Sequence, residues 1–259
     1  MLDRLLLAGV VSSVIGGAAV AADIDVAPQS SYYPAAVTPA PYYDWTGIYV
    51  GGNIAGAWVA QNGISVTDSV TGGLLAAGQG PSLGFGGGGQ LGANWQWSRS
   101  FVIGIEGDID ALSNKSSFSL ADGSTQTDKT PFISTVRARV GLTADRFMWY
   151  GTFGGAWSED QVSRSQNSGT VNGAGPGTVE SANRSSMGWA VGTGLEYAFA
   201  SNWTVRLEYL YAHLDGEGYT FPLSQRTTET SAEIVNQVRA GVSFKFGGGD
   251  TVGAVRARD

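Results

Sequence analysis

The side chains in this sequence that could do chemistry are charged residues recurring at every second position. One segment carries Glu106, Asp108 and Asp110, and a later one carries Arg137 and Arg139. Residues two apart in a β-strand point to the same face, so this spacing predicts an acidic row and a basic row that meet when the strands pair. The same pattern assigns ten residues to one charged interior: Glu106, Asp108, Asp110, Arg137, Arg139, Glu196, Arg206, Glu208, Arg239 and Lys245.

Two interpretations of these ten charges are open. Isolated buried charges are costly, but a paired and hydrogen-bonded network is tolerated, so the charges could lock a barrel interior shut. Alternatively, they could line an ion path or a proton-coupled site. We favour the locked interior, because a barrel of eight strands is just wide enough for side chains to fill it.

Other candidates for catalysis are weak. Residues 84–89 formally match GxGxxG, but a dinucleotide site needs a helix after the motif, and here the strand pattern continues to Trp97. His213 is the only histidine, and nothing singles out a serine beside it and Asp215. One histidine without cysteine cannot form a usual zinc site. We therefore predict no enzymatic activity, no cofactor and no metal site.

Composition excludes further classes of protein. Charged residues make up 14% of the 259 residues, against about 25% in typical soluble domains. The formal net charge of −7, with no basic patch, argues against nucleic-acid binding, which needs cations to neutralise phosphates. The chain has no cysteine and therefore no disulfide framework.

The elements that would position the charges are strands. Apolar and polar residues alternate through eight segments, as expected for β-strands: 45–59, 81–98, 101–112, 132–143, 147–158, 186–199, 203–214 and 234–246. The connections 99–100, 144–146 and 200–202 are short, whereas 60–80, 113–131, 159–185 and 215–233 are long and polar. Outer-membrane barrels alternate short periplasmic turns with long external loops. The rhythm therefore predicts an all-β, eight-stranded antiparallel transmembrane up-and-down barrel.

Aromatic residues on the apolar face cluster near both ends of the predicted strands. Two such belts match the aromatic girdles found at the two membrane interfaces. The predicted girdle residues are Trp45, Trp58, Phe85, Trp97, Phe101, Phe147, Trp149, Trp157, Trp189, Trp203, Tyr209, Tyr211 and Phe246.

Segments outside the strands predict the domain organisation. Residues 1–22 read as a signal peptide with an Ala-x-Ala cleavage site, 23–43 as a Pro-rich periplasmic linker, 44–246 as the barrel and 247–259 as a flexible periplasmic tail. The last strand ends on Phe244 and Phe246, the expected signal to the barrel-assembly machinery. A contact of the tail with peptidoglycan or a neighbouring protein is the alternative to a free tail.

Four segments resemble a known family. Residues 45–52, 87–96, 135–141 and 205–211 are similar, in order, to the alphaproteobacterial outer-membrane proteins that include the small major outer-membrane antigens of Brucella and the rhizobial RopB proteins. The similarity runs from about Trp45 to Phe246. The resemblance implies an eight-stranded barrel akin to the OmpA membrane domain, with roles in envelope integrity and external contact rather than a reaction.

The sequence thus predicts a structural and surface-interaction barrel, with a porin-like channel for small solutes or ions as the alternative. We expect it in the Gram-negative outer membrane, as a monomer, with linker and C-terminus periplasmic and the long loops extracellular. Expected partners are outer-membrane lipid, lipopolysaccharide, the barrel-assembly machinery and, through linker or tail, peptidoglycan.

Overall fold

The structure, a computed structural model, describes residues 42–77, 82–216 and 218–247. The predicted signal peptide, the linker before Tyr42 and the tail after Gly247 lie outside the described residues. In the described ranges, no helix is long and apolar enough to cross a membrane.

Eight long strands pair antiparallel in a closed ring. They are β1 (Gly47–Asp68), β3 (Ser82–Ser98), β4 (Phe101–Leu112), β6 (Ser124–Ala144), β7 (Phe147–Gln166), β8 (Val179–Ala198), β9 (Trp203–Asp215) and β11 (Arg226–Phe246). Each pairs with the next along the chain, and β11 closes on β1 from the pair Ile48 and Phe246 to the pair Asp68 and Arg226. The predicted eight-stranded up-and-down barrel is therefore confirmed.

The two ends of the ring differ. At the turn end, short connections join β3 to β4, β6 to β7 and β8 to β9. At the opposite loop end, several strands continue far past their predicted limits, and β2 (Leu74–Ala77), β5 (Ser116–Ser119) and β10 (Gly218–Phe221) add short hairpin partners. Much of each segment that we predicted to be a long polar loop is therefore strand. In these parts of the strands, the outward residues no longer contact lipid and are polar, as many inward residues are. The alternation of apolar and polar residues that marks a strand is therefore hard to see in the sequence.

The faces of the wall are inverted relative to a soluble barrel. Outward residues are large and apolar, and Ile54 on β1 is 73% exposed. Inward residues are polar or charged, and Arg137 on β6 is 0% exposed. Buried apolar side chains inside the ring form smaller clusters at particular heights. The free energy of apolar burial therefore comes mainly from contact with lipid outside the wall.

Candidate functional site: the charged interior

Strand alternation places all ten predicted charged residues inside the ring, and none is more than 7% exposed. Their formal charges cancel, with five cations and five carboxylates. Nine of the ten are linked by side-chain contacts into one network on β4, β6, β8, β9 and β11. Lys245 lies nearer the turn end, where its ammonium donates to the carbonyl oxygen of Asp44.

Arg137 on β6 is the most connected member. Its guanidinium contacts Glu106 at 3.0 Å, Asp108 at 2.7 Å and Glu208 at 2.5 Å, and it also donates to the hydroxyl of Thr152 at 2.7 Å. Glu106 is directly opposite Arg137 in the strand register. Glu208 lies three strands away, so this one side chain reaches across the interior.

Arg239 on β11 makes a matching set of contacts from the other side. It contacts Asp108 and Asp110 at 2.9 Å each, and Glu208 at 2.8 Å. Asp108 and Glu208 therefore each bridge Arg137 and Arg239. Charge-assisted hydrogen bonds of this kind are stronger than neutral ones and hold the planar guanidinium groups in fixed orientations.

A second group lies closer to the turn end. The Tyr49 hydroxyl donates to Glu106 at 2.6 Å and accepts from Arg139 at 3.1 Å. Glu196 and Arg206 face each other in the strand register, but their hydrogen bonds go elsewhere. Glu196 accepts from Arg139 and from a threonine hydroxyl, whereas Arg206 reaches across to Glu106.

Inward-facing glycines make room for these side chains. A Cβ atom at Gly88 would lie 2.2 Å from Oδ1 of Asp110, and one at Gly192 would lie 2.9 Å from Oε1 of Glu208. Close approach to bulky neighbours is a common reason for glycine inside a strand. The glycine-rich residues 84–89 therefore form part of strand β3 in the barrel wall and not a phosphate-binding loop.

An apolar layer lies on the loop-end side of the network. On β6, Ile133 separates Arg137 from the polar residues nearer the loop end, and on β11, Val235 lies between Arg239 and Glu233. The layer comprises Ala57, Val59, Leu112, Ile133, Ala156, Ala190, Leu210, Ala212, Leu214 and Val235. Small and branched apolar side chains thus predominate inside the ring where the charges end.

Above this layer is a second set of charges that sequence analysis missed. Arg184 contacts Asp160 at 3.1 Å, while Arg164 and Arg226 both contact Asp122 at 3.1 Å. These residues were assigned to loops. The signal was nevertheless present, because Asp160, Val162, Arg164 and Gln166 keep the two-residue spacing of β7, and all four side chains are buried.

Hydrogen bonds and arginine charges lower the pKa values of two carboxylates in this outer set, beyond the apolar band. A hydrogen bond from Arg226 lowers the pKa of Asp68 to about 2. Burial alone would raise the pKa of Asp122, but hydrogen bonds from the hydroxyl and amide of Ser124 and the charge of Arg164 outweigh it and hold that pKa below its usual value. Both groups are therefore ionised at neutral pH.

Twelve of the thirteen predicted girdle residues lie on the outer face, at least partly exposed. The prediction was wrong for Trp45, which is 1% exposed and packs inside the turn end. Trp45 precedes β1, so strand alternation does not fix its direction. Phe244 and Phe246 lie on the outer face at the end of β11 and make an edge-on ring contact at 5.1 Å.

Residues 33–246 match the family described as outer membrane protein beta-barrel domain. The chain is 34% identical over 250 residues to the 31 kDa outer-membrane immunogenic protein of Brucella melitensis, covering 91% of this chain and 97% of that protein. It is 29% identical over 249 residues to the 22 kDa outer membrane protein of Rhizobium leguminosarum bv. viciae, covering 94% and 100%.

Among solved structures, the ring aligns with Ail, the attachment invasion locus protein of Yersinia pestis. The alignment covers 78% of this chain and 99% of that one, at 13% identity and a TM-score of 0.41, which is too distant to support a conclusion about function. The match across residues 33–246 and the Brucella and Rhizobium relatives confirm the resemblance seen in the sequence. The chain belongs to the outer membrane protein β-barrel family, and it is a protein of the outer membrane.

Proposed function

We propose that this protein is a structural barrel that supports envelope integrity and external contacts, with its lumen closed by the charged network. The observation that carries the proposal is the ion pair between Arg206 and Glu106, which joins opposite walls of the ring. Arg137 and Arg239 cross the same space, so charged side chains bridge the interior from several walls. The apolar layer adds a further obstacle to ions.

The proposed orientation places the loop end outside the cell and the turn end in the periplasm. Short turns at one end and long hairpins at the other support it, because outer-membrane barrels have this asymmetry. The linker and tail would then be periplasmic and able to reach peptidoglycan, and the outer face would contact lipid and lipopolysaccharide. Phe244 and Phe246 would carry the signal to the assembly machinery.

We also propose that the protein is not an enzyme. His213 lies on the outer face of β9, where its ring stacks on Trp189 at 5.7 Å. It is thus held in the aromatic surface rather than beside the carboxylates of the interior. A histidine that activates a nucleophile must be hydrogen-bonded to that nucleophile and to an orienting acid. In the part of the chain that the structure describes, the His213 ring contacts Trp189 and makes no such hydrogen bond.

Conductance in planar lipid bilayers tests the closed lumen. We expect the refolded wild-type protein to give no steady openings. Steady, reproducible openings that are lost in Arg137→Ala would contradict the proposal and establish the porin-like channel instead. Lys115→Ala, which removes an exposed cation at the loop end, is the matched control for loss of one positive charge.

Envelope integrity is tested in cells that lack the protein. We expect increased sensitivity to detergent and to large antibiotics that an intact outer membrane excludes. Wild-type protein and Lys115→Ala should restore resistance. Unchanged sensitivity of the deletion strain would count against a structural role.

A further inference from the structure

The residues before β1 fold across the turn-end mouth of the ring. We call residues 42–46 the strap. Tyr43 and Trp45 are each 1% exposed and form an apolar cluster with Val102, Met148, Tyr150 and Ala198, which belong to the inner wall. We predicted that Tyr43 belongs to the linker and Trp45 to the girdle. Instead, the two rings pack edge to face at 4.9 Å inside the mouth.

Hydrogen bonds fasten the strap to two of the short turns and to the end of β3. The amide of Tyr43 donates to the Asp145 carboxylate at 2.9 Å, and its hydroxyl donates to the carbonyl of Ser201 at 3.1 Å. The indole of Trp45 donates to the carbonyl of Asp145 at 3.0 Å, and its amide donates to the Gln96 side chain at 2.8 Å. The strap therefore spans the mouth instead of lying against one wall.

Cations reinforce this attachment. The Lys245 ammonium lies 4.2 Å from the centroid of the Tyr43 ring and also donates to the carbonyl of Asp44. The Arg146 guanidinium lies 5.6 Å from the same ring. A cation over an aromatic face is attracted by the ring quadrupole, more strongly where water is excluded. Lys245 thus ties the last strand of the barrel to the segment that precedes the first.

We propose that the strap is a plug that seals the turn-end mouth, as a second barrier in series with the charged network. Met148 and Tyr150 lie between the two barriers, and the Tyr150 ring stacks on the Arg139 guanidinium at 3.8 Å. Displacing the strap would open a chamber bounded by these residues and leave the network in place. The plug therefore goes beyond the closed lumen proposed above, and each barrier can be tested alone.

Cysteine accessibility tests the plug, because the chain contains no cysteine. Met148→Cys places a thiol beneath the strap, at a site that is 0% exposed. In detergent micelles, we expect a charged, water-soluble maleimide to label this thiol slowly. Adding Trp45→Ala should raise the labelling rate by roughly ten-fold or more, because the site is then no longer protected by the closed strap. Arg99→Cys, on an exposed turn residue, sets the rate for an open site.

The matched control is Trp203→Ala, which removes an outward-facing tryptophan at the same end and should leave Met148→Cys protected. Heat-modifiable migration on gels shows that each variant has closed into a barrel. If Trp45→Ala does not fold, Tyr43→Ala replaces it. The proposal is overturned if Met148→Cys labels as fast as Arg99→Cys with the strap intact, or if removing the ring in a folded variant leaves labelling slow.

Conductance separates this proposal from the closed lumen. If the charged network closes the lumen, Trp45→Ala remains electrically silent although its Met148→Cys thiol reacts. Steady openings in Trp45→Ala but not in the wild-type protein would contradict closure by the network. They would show that the strap is the barrier that blocks ions.

Discussion

Arg206 on β9 donates a hydrogen bond to Glu106 on β4, and these two strands lie opposite each other in the eight-stranded ring. The register partner of Arg206 on β8 is Glu196, which accepts a hydrogen bond from Arg139 instead. The interior charges are therefore organised across the ring more than along neighbouring strands. The side chains of Arg137, Arg139, Arg206 and Arg239 thus join strands that are not neighbours in the ring.

Removing Arg206 should destabilise the barrel strongly. In Arg206→Ala, the Glu106 carboxylate keeps its burial but loses one of its cations, and breaking a buried ion pair typically costs about 3–5 kcal/mol. Urea unfolding in lipid vesicles, followed by tryptophan fluorescence, measures the change. Lys115→Ala is the control and should stay within about 0.5 kcal/mol of wild type. A loss for Arg206→Ala no larger than that of the control would show that the pair contributes nothing.

The glycines under the network should not tolerate a methyl group. At Gly88, an added Cβ would lie 2.0 Å from the carbonyl oxygen of Ile109 and 2.2 Å from Oδ1 of Asp110. Overpacking of this kind costs about 1–3 kcal/mol, so Gly88→Ala should lower the urea midpoint. Gly56→Ala is the matched control, because no atom lies within 4 Å of its added Cβ. Equal midpoints for the two variants would contradict the close packing.

A charge on the outer wall should be costly at mid-height and tolerated near the girdle. Ile54 lies between Ile48 and Trp58 on β1 and is 73% exposed on the outer face. Lysine at the bilayer midplane costs about 2–4 kcal/mol, and near an interface about 0–1 kcal/mol. Ile54→Lys should therefore lose more stability in vesicles than Leu83→Lys, which is level with Trp58. A larger loss of stability for Leu83→Lys than for Ile54→Lys would show that the bilayer midplane is not at the level of Ile54.

The pair of Asp68 and Arg226 should stabilise the loop end except in strong acid. The folded-state pKa of Asp68 is lowered to about 2 from an ordinary value of 3.8. Its ionised form therefore stabilises the fold above about pH 4, and the contribution is lost as the pH falls through about 2. Carboxyl-carbon NMR of the barrel in micelles measures the titration midpoint directly.

Arg226→Gln tests whether the hydrogen bond from Arg226 causes the low pKa of Asp68. We expect the midpoint of Asp68 to rise towards 3.8 in this variant, because the hydrogen bond from the guanidinium is removed. Lys129→Gln, which removes an exposed cation elsewhere at the loop end, should leave the midpoint unchanged. A midpoint near 3.8 in the wild-type protein would show that the pair does not form.

Strand periodicity predicted the architecture because it is a local property. The alternation through Glu106, Asp108 and Asp110 was enough to place three carboxylates on one face of one strand. Which cation each carboxylate meets depends on the width of the ring, so the pairing of Arg206 with Glu106 rather than Glu196 could not be read from spacing. Trp45 escaped prediction for a related reason, because only tertiary contacts direct a residue that precedes the first strand.

The buried charged residues at the loop end were missed although a local pattern was present in the sequence. Arg164 and Arg226 have strand spacing around them, yet composition outweighed periodicity in the assignment of loops. Beyond the apolar band, the outward residues of β6 and β7 become polar, and the contrast between the faces disappears. Buried residues such as Val162 and Gln166 still recur at every second position. This pattern is recognised as a strand only if polar side chains such as that of Gln166 are allowed to face the interior.

The contacts across the interior also constrain how the molecule can form. Glu106 and Arg206 are 100 residues apart in sequence, so their pairing requires the intervening strands to be in place. Until β11 meets β1, the charged face has no opposite wall and must stay hydrated, while the outer face already favours lipid. Assembly by successive hairpins would therefore leave unpaired charges at membrane depth, a costly state. Closing the seam and dehydrating the charges should occur together, as one late and cooperative step.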